Sequence, residues 1–200
     1  MTLIELLIGL SITAFTCAIL AVLINATAMG TSSQNDGRRA LVRLQTLKSI
    51  LEDEFGNARR ILATGTNYVV YWTGDRTTGP TAANGAVNFS ELRLLEIDPV
   101  GNLTIYCTRW PDGMSDAAKQ AADTTFAANS NWYTAIAAYK GTSNFSANTI
   151  ATGATAMAVS LDNASPMSAR HIHLDITLFD GTVTRQFALG VTMVNPVTPW

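Results

Sequence analysis

Met1-Thr-Leu-Ile-Glu-Leu-Leu-Ile-Gly-Leu10 runs directly into Ser11-Ile-Thr-Ala-Phe-Thr-Cys-Ala-Ile-Leu-Ala-Val-Leu-Ile24, and Glu5 is the only charged side chain before Asp36. As a helix, Leu6 to Ile24 would extend roughly 28 Å, close to the thickness of a bilayer core. A carboxylate within such a segment is costly. An acidic residue at the centre of a membrane helix costs about 2.5–3.5 kcal/mol. A chain that carries Glu5 there needs a partner for it.

Two further explanations fit the same stretch. Glu5 could lie near a helix end, where it would reach the headgroups or interact with the first turn. The segment could also be a secretory signal, with Ala26-Thr27-Ala28 as a small-x-small cleavage site. Against the signal, a basic start is missing, an acid stands in its place and the apolar run is long.

Thr2-Leu-Ile-Glu-Leu-Leu-Ile-Gly-Leu10 resembles the mature N-terminus of type IV pilins and of the pseudopilins of type II secretion. The likeness is close over about the first 25 residues and architectural beyond them. It implies a structural, non-enzymatic subunit without a cofactor. A prepilin peptidase would remove a basic leader, and Met1, standing where Phe is commoner, would be the methylated first residue. The carboxylate of Glu5 would then pair with the α-amino group of Met1 on a neighbouring copy. Leu3, Ile4, Leu6, Leu7, Ile8, Leu10, Ile12, Phe15, Ile19 and Leu20 would pack in the apolar centre of a filament. The implied partners are further copies or other pilins, the assembly machinery, and the inner membrane before assembly. The assembled filament would span the periplasm or extend outside the cell. Major pilin, minor pilin and pseudopilin share these features, so adhesion, motility, DNA uptake and secretion stay open together; a monomeric membrane-anchored binding domain is the more distant alternative.

Beyond the apolar run, Gly30 to Gly37 is polar and poor in helix formers, which predicts fraying. Leu41, Leu44, Leu47, Leu51, Phe55, Ala58 and Leu62 then recur every three or four residues, predicting an amphipathic helix to about Leu62. Alternating and β-branched runs follow at 68–73, 91–97, 103–110, 157–161, 170–179 and 182–194. Asp98-Pro-Val-Gly-Asn102 and Asp180-Gly181 read as hairpin turns. Short helices are expected at 116–128 and 132–139, and polar loops at 76–90 and 141–154. The predicted class is α+β: a long N-terminal helix, membrane-like then amphipathic, packed on an antiparallel β-sheet in the ladle-shaped pilin fold. Its parts are 1–29, 30–62 and 63–200, with a variable insert near 111–154 on the outside.

Charged residues make up 14% of the chain and the net charge is −2, which disfavours direct nucleic-acid binding. No phosphate loop, nucleophile elbow or paired metal-ligand motif is present. His171, His173 and Asp175 alternate on a predicted strand and share a face, so a shared metal is conceivable. They read more simply as its solvent side, and no metal is assigned. Calcium at Asp75, Asp98, Asn102, Asp112, Asp116 and Asp123 is weighed and set aside for want of a dense ligand run. Cys17 and Cys107 are expected to be free, buried thiols, because one lies in the apolar run and the other in the sheet domain.

Overall fold

The computed structural model describes residues 3–75, 85–179, 181 and 183–193; within the first helix, the side chains of 3, 5–9, 11, 12, 14, 28–37 and 39 are not described. The chain divides into two compact units, Met1–Thr46 and Leu47–Trp200. Helix α1, Leu3–Gly56, contributes to both. Its backbone stays helical through 30–37, where fraying was expected. The hydroxyl of Thr27 donates to the carbonyls of Leu23 and Ile24, the back-bonding common to Thr inside helices.

In the second unit, a five-stranded antiparallel sheet is ordered β1-β2-β4-β5-β7. Its strands are β1 (Arg60–Gly65), β2 (Tyr68–Trp72), β4 (Leu92–Ile97), β5 (Asn102–Thr108) and β7 (Phe145–Thr152). A second sheet is ordered β10-β9-β8, from Ala154–Leu161 (β8), His171–Phe179 (β9) and Thr184–Thr192 (β10). Val87–Asn88 (β3) and Thr125–Phe126 (β6) form a two-stranded ribbon. Two short helices, α2 (Asp116–Ala122) and α3 (Trp132–Ala137), lie in the insert.

Both faces of the five-stranded sheet are buried, and a period of two separates them. Val69, Leu95 and Ile105 are register partners on one face, and Val70, Leu94 and Tyr106 on the other. The first face packs with Leu47, Leu51 and Phe55 of α1 and with Met157, Ile172, Leu174, Ile176 and Leu189 of the three-stranded sheet. The second face is covered by Val87, Trp132 and Ile136. Double burial explains why Tyr68-Val-Val-Tyr-Trp72 carries apolar residues consecutively rather than in alternation, and why Leu94 and Leu95 are both buried.

The expected fold class is therefore corrected. The strands form three sheets, not one. The side chains of α1 in the sheet core come from Leu47 onward. Among the described residues no helix is long and apolar enough to cross a membrane. The division into sheets turns on Gly153, whose φ of +76° favours glycine. A Cβ there would stand 2.1 Å from the carbonyl oxygen of Phe179, while the Phe179 amide donates to the Gly153 carbonyl. The chain passes from β7 to β8 through this contact and starts a new sheet.

Two local expectations also change. α1 ends at Gly56, and Leu62 belongs to β1, where it joins the second core. Residues 145–152, expected as loop, form β7 against β5. Within the insert near 111–154, Trp132 and Ile136 are core residues. The Asp98–Asn102 turn forms as expected, with the Asp98 carboxylate accepting from the amides of Val100 and Asn102. The second hairpin joins β9 and β10 in nine-residue register from Phe179↔Thr184 to His171↔Thr192; its Asp180 lies outside the described residues.

Candidate functional site

The residues singled out for assembly lie at the start of α1. Met1 lies outside the described residues. Leu3, Glu5, Leu6, Leu7, Ile8 and Ile12 are helical in backbone, and their side chains lie outside the description. Ile4, Leu10, Phe15, Ile19 and Leu20 are described and exposed, together with Val22, Leu23 and Ile24; their exposure runs from 47% to 70%. At 100° per residue these positions, with the exposed Cys17, Ala18 and Ala21, fall on every side of the helix. A helix apolar all round is ordinarily enclosed, either by protein or by lipid. Here none of the described side chains from Phe15 to Thr27 is covered. Cys17 is exposed, which corrects the expected burial; it and the half-buried Cys107 are both free thiols.

The carboxylates of the second unit are mostly engaged in building it. Glu91 is buried and accepts from the Trp72 indole at 3.0 Å and from the Asn88 amide at 3.1 Å. Asp123 accepts from the amide and hydroxyl of Ser90 at 2.8 and 2.7 Å. Glu96 holds Lys140 and the Tyr133 hydroxyl, tying the insert to β4. Asp116 pairs with Lys119 three residues on. The acids weighed for calcium are thus distributed over several local structures. Among the described residues no group of three His, Cys, Asp or Glu side chains could hold a metal ion.

His171, His173 and Asp175 fall on the outer face of β9, with Ile172, Leu174 and Ile176 buried behind them. His171 and His173 border an open groove of about 450 Å³ whose lining includes Ser160, Asp162, Gly190 and Thr192. Asp162 accepts from the amides of Arg170 and His171, which hold its carboxyl below the ordinary range. Asp162 and Thr192 did not emerge from the sequence pattern. Counting back along both strands from a two-residue Asp180-Gly181 turn would have set Gly190 opposite His171; the observed register, Phe179↔Thr184, sets Thr192 there instead. Asp162 lies outside the alternating runs and carries no such signal.

Comparison with family models, with curated proteins and with solved structures finds no match.

Proposed function

We propose that this chain is the structural subunit of a type IV pilus-like filament and polymerises through the first half of α1. The observation that carries this reading is the pairing of Thr2-Leu-Ile-Glu-Leu6 with a helix whose described apolar side chains up to Ile24 are exposed on every side. Burying those side chains against the same helix in other copies supplies the driving force, at about 25 cal/mol per Å² of apolar surface. Glu5 supplies the register, its carboxylate lying opposite the α-amino group of Met1 on a neighbour. In a low-dielectric bundle, removing one member of such a pair costs about 3–5 kcal/mol, because the other charge stays buried alone. Before assembly the same apolar surface rests in the inner membrane. Leader removal by a prepilin peptidase exposes the amine that Glu5 meets, and methylation keeps that amine cationic.

The test is electron microscopy of sheared surface material from cells producing the wild-type chain or Glu5→Ala. Filaments containing the chain are expected from the wild type and severe loss from the variant. A monodisperse, detergent-bound monomer as the sole native form of the wild-type chain would overturn the proposal.

A further inference from the structure

The outer face of the three-stranded sheet carries two imidazoles whose surroundings leave one nitrogen on each unengaged. His171 and His173 are two residues apart on β9, so they share a face at a spacing of about 6.5 Å. The Thr192 hydroxyl lies 2.8 Å from His171 Nδ1, and Asp175 Oδ1 lies 3.3 Å from His173 Nε2. The first is a hydrogen bond that commits His171 Nδ1, and the second places a carboxylate beside His173 Nε2. His171 Nε2 and His173 Nδ1 are left without a hydrogen bond among the described residues. The second of these sits beside Gly190, where even an added Cβ would remain 3.7 Å away. Both rings border the same open groove, and both residues are exposed.

Metal-binding histidines are commonly held in this way by neighbouring oxygen groups. A carboxylate or hydroxyl on one nitrogen orients the ring and leaves the other nitrogen as a lone-pair donor. We propose that His171 Nε2 and His173 Nδ1 bind one divalent transition-metal ion of the kind that favours imidazole, such as Zn²⁺ or Ni²⁺. Asp175 and Thr192 hold the rings. No third protein ligand completes the shell among the described residues, so water fills the remaining positions. Two neutral nitrogen donors without a carboxylate ligand make a weak site that discriminates against Ca²⁺ and Mg²⁺, which prefer oxygen.

Isothermal titration of the full, untagged chain in detergent micelles tests the site, with Zn²⁺, Ni²⁺ and Ca²⁺ each used alone. One Zn²⁺ or Ni²⁺ per chain is expected, with no Ca²⁺ at the same concentrations. His171→Ala and His173→Gln should each weaken binding at least tenfold, and the double variant should abolish it. Asp175→Asn should weaken it several-fold. Both histidines are exposed, so the variants should keep the wild-type circular dichroism and melting temperature. Failure of the wild-type chain to bind either transition metal would overturn the proposal, as would unchanged affinity in the double variant.

Discussion

Glu91 and Asp123 show how acidic side chains come to lie in the interior of a weakly charged domain. Each takes donors from another element: Glu91 from Trp72 on β2, Asp123 from Ser90 in the 3-10 helix Phe89–Glu91. Leaving such a buried acceptor short of a donor costs about 1–3 kcal/mol. Trp72→Phe should therefore lower stability by about that amount in urea unfolding, with the fold retained. The exposed acids act through pH instead. Asp98 is held below its ordinary value of 3.8, first by the Asn102 amide and then by the Asn102 side chain; Asp162 is held below 3.8 chiefly by the amides of His171 and Arg170. A folded-state pKa below the unfolded one means stability that is present above the unfolded value and lost as pH falls through the folded one. Stability should thus decline as pH drops below about 4, and the double variant Asp98→Asn, Asp162→Asn should flatten that decline. Urea midpoints measured between pH 5 and pH 2 would check this, and an unchanged slope would contradict it.

At the scale of elements, α1 divides by what its side chains meet. Leu51 is fully buried against the sheet, whereas Leu41, ten residues earlier, is 59% exposed. Leu51→Ala should cost about 2–5 kcal/mol and Leu41→Ala should leave the unfolding midpoint almost unmoved. Gly153→Ala should destabilise by more than about 1 kcal/mol, since its Cβ would collide with the Phe179 carbonyl at positive φ. The strands buried on both faces and the existence of the β9–β10 hairpin were legible from apolar runs and an Asp-Gly turn, but the register was not, since Phe179 pairs with Thr184 and not with residue 182. β7 was not legible: Phe145-Ser-Ala-Asn-Thr-Ile-Ala-Thr152 lies at the sheet edge with no fully buried residue and no apolar alternation, and its pairing comes from backbone bonds to β5. β1 was hidden for a different reason. Ala58 and Leu62 extend the three-and-four spacing of α1, but Gly56 and Asn57 end the helix, and a bulge between Ile61 and Ala63 interrupts the alternation of β1, so that the neighbours Leu62 and Ala63 meet the same core. The groove at His171 and His173 was half legible: the strand pattern placed the histidines on one face, and only the register brought in Thr192.

For the whole molecule, the two units pose different physical problems. Leu47–Trp200 encloses its own apolar side chains in two cores. Met1–Thr46 leaves every described apolar side chain from Phe15 to Ile24 exposed. Contiguous apolar surface of that kind marks a site of association. In the proposed filament Glu5 would give the association its register, because a carboxylate brought into an apolar bundle is costly unless a cation faces it. The most direct measurement is the filament yield of Glu5→Ala against wild type, quantified by electron microscopy with the two chains produced at equal levels. The proposed pairing predicts a fall of at least tenfold, with the unfolding midpoint of the Leu47–Trp200 unit unchanged. Wild-type yield from Glu5→Ala would contradict it.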